Sequence, residues 1–303
     1  MSAISPYFQQ LKAKYAFQER EGFIDTELER VKFFWATETI ERAPLIYEAG
    51  LVIIGQGHKI GYLGQRTFHY DVDHYLVVSV ATPFECATYA TPDAPLLGLF
   101  IDIDLAELHE LVATFTQTQS SPPFDLNTIP TGIEPVALDG DMADAIARLA
   151  KCMLSPLEYQ VLGHALVKEI IFRALLGQHG LALFALTQHQ THYNRIAKAL
   201  SRIRQHYAEP LTVNALATDI GMSTSVFHRF FKQITGHSPL QYLKQIRLNQ
   251  AKSLLLHDRL SVNKAAIQVG YESASQFSRE FKRYFGVPPT QVNDIGYQAN
   301  RMT

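Results

Sequence analysis

The chain has 303 residues, 47% hydrophobic and 18% charged, with a formal net charge of −2; this describes a folded globular protein of two or three domains and excludes a disordered or fibrous one. Its two cysteines, Cys86 and Cys152, are far apart, which excludes a disulfide framework and a zinc-knuckle spacing and points to a reducing cytoplasm. The longest apolar runs, such as Leu51–Ile54 and Leu76–Val78, have strand length, so no membrane span is expected, and no signal-peptide-like stretch opens the chain.

Strand signals dominate as far as about Phe124. Runs at Leu51–Ile54, Lys59–Leu63, Thr67–Tyr70, Tyr75–Val80, Phe84–Tyr89 and Leu96–Ile103 alternate with breaks at Gly55-Gln56-Gly57, Gly64-Gln65 and Asp71. Closely spaced short strands of this kind predict a small sandwich or barrel. Pro44, Pro83, Pro92 and Pro95 are expected between strands, where a missing backbone donor does least harm. Helical spacing begins at Asp102–Phe115, with Leu105, Leu108, Leu111 and Val112 on one face. A loop at Ser120-Ser121-Pro122-Pro123 precedes further helices at Asp141–Leu154 and Pro156–Leu176, the last closed by Gly177 and Gly180. The last helix carries a broad apolar stripe of Val161, Leu162, Ala165, Leu166, Ile170 and Leu175. It can serve as core or as the seam of a two-fold dimer.

From Tyr193 onward the chain holds 15 Lys and Arg against 6 Asp and Glu, leaving 12 against 23 in residues 1–192. An acidic front and a basic tail suggest a polyanionic partner for the tail, although a basic solvated domain shows the same balance. The tail also repeats itself. Leu211-Thr212-Val213-Asn214-Ala215-Leu216-Ala217 and Ile220-Gly221-Met222-Ser223 match Leu260-Ser261-Val262-Asn263-Lys264-Ala265-Ala266 and Val269-Gly270-Tyr271-Glu272-Ser273. After one inserted residue, Phe227, Arg229, Phe231, Lys232, Gly236 and Pro239 match Phe277, Arg279, Phe281, Lys282, Gly286 and Pro289.

Each copy has the parts of a helix-turn-helix. Thr212 and Ser261 suit the cap of a first helix, Ser223 and Ser273 that of a second. Gly221 and Gly270 suit the positive φ of the sharp turn between them. Phe227 with Phe231, and Phe277 with Phe281, recur at i,i+4 and are expected to face inward. The opposite faces then carry Thr224, Ser225, His228 and Arg229 in the first copy, and Ala274, Ser275, Ser278 and Arg279 in the second. Arginine suits a bidentate contact with guanine and a glutamine such as Gln276 suits adenine, while Lys232, Lys282 and Arg283 are better placed for phosphates. A continuous helix over Ser238–Leu256 would hold the copies at a fixed separation. About 34 Å would let both enter successive major grooves, and a shorter spacing would require bent DNA.

On Ala217-x3-Gly221-Met222-Ser223, Phe227-x-Arg229-x-Phe231-Lys232, Gly236-x2-Pro239-x2-Tyr242, Arg247-Leu248-x2-Ala251-x2-Leu254-Leu255 and their counterparts around Gly270 and Phe277-Ser278-Arg279-x-Phe281-Lys282, the sequence resembles the AraC/XylS family of bacterial transcription regulators. The resemblance places base contacts on Ser225, His228 and Arg229, and on Ala274, Ser275, Ser278 and Arg279. At the front, Pro44-Leu45-Ile46-Tyr47-Glu48, Gln56-Gly57, His74–Val80 and Pro83 resemble the N-terminal domain of one AraC-type subgroup. This implies an α+β chain: a cupin-like barrel at 1–124 that senses an effector, a helical connector and possible dimerisation segment at 125–192, and a tandem helix-turn-helix domain at 193–303. Double-stranded DNA is then the principal partner, with a small-molecule effector, a second copy of the chain, and RNA polymerase if the protein activates.

An enzyme is the competing expectation for the front domain. His58, His69, Asp71 and His74 are its candidate metal cluster, but they lack a closely spaced His-x-His with a downstream Glu. Gly55-x-Gly57 lacks the strand-to-helix setting of a phosphate loop, and no nucleophile motif is present. No catalytic residue, metal or cofactor is therefore assigned. Sensing is favoured, with Phe68, Tyr70, Val78, Val80, Phe84 and Phe100 either lining a ligand cavity or simply filling a core.

Overall fold

Turns and alternating side chains shape the front of the chain, and periodic helices its remainder. The computed structural model describes residues 4–17, 19–118, 124–126, 128–189 and 191–294, so the expected loop at 120–123 lies outside the described residues. Helix α1 (Ser5–Tyr15) leads into strands β1 (Glu21–Asp25), β2 (Val31–Ala36), β3 (Ile40–Tyr47), β4 (Gly50–Gln56), β5 (His58–Leu63), β6 (Arg66–Asp71), β7 (His74–Val78), β8 (Thr82–Tyr89) and β9 (Leu96–Asp102). Helix α2 (Leu105–Thr118) and strand β10 (Ile133–Ala137) follow, then α3 (Gly140–Cys152), α4 (Pro156–Leu176) and α5 (Gly180–Thr187). The last part is helical: α6 (His192–Gln205), α7 (Val213–Asp219), α8 (Thr224–Thr235), α9 (Pro239–Leu256), α10 (Val262–Gln268), α11 (Ala274–Phe285) and a 3-10 turn at Pro289–Asp294.

The strands form two antiparallel sheets, β1-β2-β9-β4-β7-β10 and β3-β8-β5-β6. The expected barrel is thus not closed: among the described residues no ladder joins the sheets, and they face each other as a sandwich. One of the crossings between them falls at the Asp71–His74 turn, where the Asp71 carboxylate accepts from the Asp73 N–H at 2.9 Å and meets His74 Nδ1 at 3.0 Å. Period-two alternation divides the side chains. Phe34, Val52, Val78 and Phe100 point between the sheets with Phe68, Tyr70 and Phe84. Phe33, Leu51, Val77 and Ile101 point to the other face, which α1–α5 cover. The larger sheet is therefore buried on both faces, which explains the unbroken apolar run in β4.

Several elements carry no strong local signal. Strand β10 pairs with β7 at the sheet edge, where Pro135 costs no ladder bond. Pro44 and Pro83 lie within β3 and β8, contrary to expectation. β3 is an edge strand, and Pro83 sits where β8 runs past the end of β5, so neither proline interrupts an inner ladder. Pro92 and Pro95 lie between strands, as expected. Among the described residues no single helix is long and apolar enough to cross a membrane, and α4 and α5 meet at 102°.

The apolar stripe of α4 divides. Ile170 and Leu175 are fully buried, whereas Val161 is 70% exposed and Leu157, one turn earlier, is 71% exposed. One continuous core runs from α1 across the outer face of the larger sheet and through α2–α5 to Leu216, Phe227, Phe231 and Tyr242 of the first repeat. The second repeat has its own core of Ala251, Ala265, Val269, Phe277 and Phe281.

Candidate nucleic-acid interface

Each repeat is built by the same local devices. The Thr212 hydroxyl accepts from Ala215 N–H at 3.2 Å to start α7, and Ser261 accepts from Lys264 N–H at 3.4 Å to start α10. Gly221 and Gly270 end these helices at φ of 66° and 86°. Behind them Met222 N–H returns to Ala217 O at 2.9 Å, and Tyr271 N–H to Ala266 O at 3.0 Å, which closes the turn. At Gly270 space matters as well as φ, because a Cβ there would lie 2.4 Å from the Ala208 carbonyl. Ser223 and Ser273 cap α8 and α11, and Gly236 and Gly286 close them in left-handed geometry. Phe227 meets Phe231 at 5.3 Å, and Phe277 meets Phe281 at 5.5 Å, all fully buried.

Burying those phenylalanines turns the opposite faces outward. On α8, Thr224, Ser225, His228, Arg229 and Lys232 are all exposed. On α11, Ser275, Gln276, Arg279 and Lys282 are exposed, and Ala274 and Ser278 are half-buried. Among the described residues, neither Arg229 nor Arg279 forms an ion pair, so both keep their charge for a ligand. Other basic residues are neutralised internally: Arg202 with Asp219 at 2.6 Å, and Lys244 with Glu280 at 3.0 Å. Burial works against the Glu280 charge, but hydrogen bonds from Lys244, Gln276 and Tyr271 outweigh it and hold the carboxyl below its usual range. The Gln276 amide donates to Glu280 at 3.2 Å and is thereby oriented along the flank of α11.

The two units are joined by α9, opened by a reciprocal capping box between Ser238 and Gln241. Its 18 residues make a rod of about 27 Å. Arg247, midway along it, donates to the carbonyls of Tyr207 and Glu209 at 2.7 and 3.0 Å and ties the rod to the end of α6.

The first unit is bonded to the front domain. The Tyr242 hydroxyl donates to Ala81 O at 2.9 Å, and His237 Nε2 to Pro83 O at 2.7 Å. Gly132 N–H donates to Ile234 O at 2.8 Å, and Arg204 pairs with Glu48. On α8 itself, Phe230 stacks on His192 at 4.1 Å, and the Arg229 guanidinium lies 4.8 Å from the Phe230 ring. Sequence reasoning missed the Tyr242, His237, Gly132 and Arg204 bonds, because each joins residues about 100 or more positions apart whose types are individually unremarkable.

The residues expected to line an effector cavity separate into two groups. Phe68, Tyr70, Val78, Phe84 and Phe100 meet between the sheets, while Val80 belongs to the core on the other side. The interior also holds Lys59, buried with its ammonium 5.8 Å from the Phe34 ring and 5.9 Å from Tyr47. Alternation in β5 carried that signal, since Lys59 shares the inward phase of Gly61 and Leu63. The Tyr70 hydroxyl lies 3.2 Å from both Tyr47 Oη and Cys86 Sγ, and burial pushes its pKa well up. Among the described residues no three His, Cys, Asp or Glu side chains come together as metal ligands; His58 stacks on Tyr89 at 4.6 Å instead.

A two-sheet front domain bonded to a pair of matched helix-turn-helix units defines the class of transcription regulators. The particular family follows from comparison with known proteins. Residues 27–182, just over half of the chain, match the AraC-type transcriptional regulator N-terminus, and residues 216–294 match a helix-turn-helix domain. The chain belongs to the AraC-type transcriptional regulators. The HTH-type transcriptional activator RhaS of Escherichia fergusonii is 34% identical over 98 residues, 32% of this chain and 35% of the relative. RhaS of Escherichia coli (strain K12 / DH10B) is 32% identical over 99 residues, 33% of this chain and 36% of the relative. The match thus spans about a third of the length of these curated relatives. Unsaturated fatty acid-bound ToxT from Vibrio cholerae strain SCE256 superposes with a TM-score of 0.58 over 93% of this chain and 100% of that chain, at 11% identity, a likeness of fold alone.

Proposed function

We propose that this protein binds duplex DNA in a sequence-selective way through α8 and α11, and regulates transcription in response to a small molecule. The observation that carries the reading is the pair of matched recognition helices, each exposing an unpaired arginine, Arg229 and Arg279, opposite a buried phenylalanine pair. Arg229 and Arg279 read guanines, and the small Ser225, Ala274, Ser275 and Ser278 allow close approach. Thr224, His228 and Gln276 flank them. Lys232 and Lys282 contact phosphates, which supply affinity and register. A rod of about 27 Å is shorter than one turn of DNA, so engaging both grooves bends the duplex at a cost of a few kcal/mol.

The boundaries proposed for these functions are 1–124 for sensing, 125–192 for connection and 193–303 for DNA binding. A bacterial cytoplasm is the proposed compartment, and RNA polymerase is a partner if the protein activates. ToxT is described with an unsaturated fatty acid bound, which supports small-molecule control on this fold. The exposed stripe of Leu157, Val161 and Leu162 on α4 suits a second copy of the chain; Val161→Glu should then turn a sedimenting dimer into a monomer.

A mobility-shift titration tests the central reading. The protein should select a duplex from a random pool and lose affinity steeply as salt rises. The double variant Arg229→Ala/Arg279→Ala should keep salt-dependent binding but lose selectivity. Equal affinity of the unaltered protein for selected and random duplex would refute it.

A further inference from the structure

Leu126, Thr128, Ile129 and Pro130, helix α5 and the first turn of α6 line a cavity of about 510 Å³. That volume falls within the ~300–1,000 Å³ usual for small-molecule sites. Ile129, Pro130, Leu181 and Phe184 make its wall largely apolar, and Gln188 and His192 supply polar edges. No lysine, arginine, aspartate or glutamate is among the described lining residues.

We propose that this cavity is the effector site, in place of the space between the sheets, and that it takes an uncharged, mostly apolar small molecule with one or two hydrogen-bonding groups. The proposal rests on the reading of the chain as an effector-controlled DNA-binding protein. Between the sheets Phe34, Tyr47, Phe68, Tyr70, Phe84 and Phe100 pack together as buried side chains, and Phe68 covers its cross-strand neighbour Gly61, where a Cβ would lie 2.2 Å from the ring. A carboxylate or ammonium would enter the α5–α6 cavity without a fixed countercharge and lose its hydration, so the lining selects neutral ligands.

The cavity is wired to the first helix-turn-helix unit at both ends of its wall. His192 lines it and stacks on Phe230, against which Arg229 rests. Tyr193 also lines it, and its hydroxyl bonds Ser79 Oγ and Thr131 O. Thr131 and Gly132 follow Pro130 directly, and Gly132 N–H holds the Ile234 carbonyl near the end of α8. A molecule wedged between Pro130 and His192 thus bears on α8 through Phe230 and through Ile234. It changes DNA affinity to the extent that it binds the docked and released arrangements differently.

The test uses the full chain and N-phenyl-1-naphthylamine, a neutral apolar dye whose fluorescence rises on transfer from water. Saturable binding at one site is expected. Leu181→Trp, which fills the cavity from α5, and Gln188→Trp, which fills it from the half-buried rim, should each weaken the dye by at least about tenfold. Phe230→Leu, outside the cavity, should bind dye like the parent but lose the dye-induced change in affinity for the selected duplex. Absence of saturable binding, or fillers that bind dye as the parent does, would overturn the site. Preference for an anionic naphthalene sulfonate over the neutral dye would overturn the ligand class. Failure to select any duplex while the dye result holds would instead remove the DNA-binding reading and leave the cavity standing.

Discussion

The two helix-turn-helix units share their caps, their turn and their buried phenylalanine pair, yet they stand in different company. Where the first unit has Val226 and Phe230, the second has Gln276 and Glu280. Phe230 stacks on His192 and brings α8 into the core of the front domain. Glu280 instead gathers Lys244, Tyr271 and Gln276 into a polar cluster on its own unit. The second unit approaches the front domain near β3 but keeps a separate core. Phe230 thus adds to the bonds of Tyr242, His237 and Ile234 in coupling the first unit to the sensing half, while Glu280 at the matching position keeps its contacts at home. The coupled unit is the one placed to feel an effector; the other contributes recognition that is less conditional on it.

The sharpest way to break this comparison is through the cores. Phe281→Ala should cost about 3–5 kcal/mol and melt only the second unit. Phe231→Ala, at the matching position, should destabilise the front domain too. Amide hydrogen exchange across β4 and β7 distinguishes them: protection there should survive the first change and fall with the second. Equal loss in both variants would mean that the cores are energetically one.

Next come the arginines. Arg229→Ala and Arg279→Ala should each cost about 1–3 kcal/mol of binding to the selected duplex and relax base preference at one half-site only. The Arg279 change should act the same with the front domain docked or loosened. The Arg229 change should depend on docking, because its guanidinium rests on Phe230. Half-site mutagenesis of the duplex with both variants measures this.

A smaller effect is expected at the seam. Tyr242→Phe leaves the Ala81 carbonyl without its donor and should cost about 1–3 kcal/mol. The loss should appear as a lower melting temperature with α8 exchanging faster and α11 unchanged.

The smallest effect is that of pH. Burial lowers the His237 pKa below the ordinary 6.5, against the raising effect of its bond to Pro83 O. The unfolded or undocked imidazole therefore binds protons more readily than the docked one. The docking contribution is full above pH 6.5 and falls as pH drops through the lowered folded value. Proteolysis near α8 should quicken below about pH 6, and His237→Gln, which keeps a donor without titrating, should flatten that profile.

Much of this architecture was legible in the sequence, for reasons that differ by region. Gly221, Gly270, Ser223, Ser273 and the two phenylalanine pairs act on neighbours within a few residues, so their spacing alone announces the units and their exposed faces. α4 was readable from Pro156 to Leu176, but its stripe could not reveal that Ile170 faces the core while Val161 faces outward. β1, β2, β3 and β10 were not anticipated; β10 is a strand only because β7 offers it an edge. The twofold division of the strands, like the seam at Tyr242, His237 and Gly132, arises from contacts between distant residues. The cavity at α5 and α6 is a product of that same long-range assembly.

The extension of the front domain's core through Tyr242 has a consequence for anyone recombining members of this family. A crossover placed ahead of α6, at the boundary a domain diagram suggests, would strip Phe227, Phe231 and Tyr242 of neighbours drawn from both parents. A crossover at Arg247, ahead of Leu248, Ala251 and Leu255 of the second core, would hand over only the self-sufficient second unit. Chimeras spliced there should inherit half of a new operator preference and keep the response of the recipient intact.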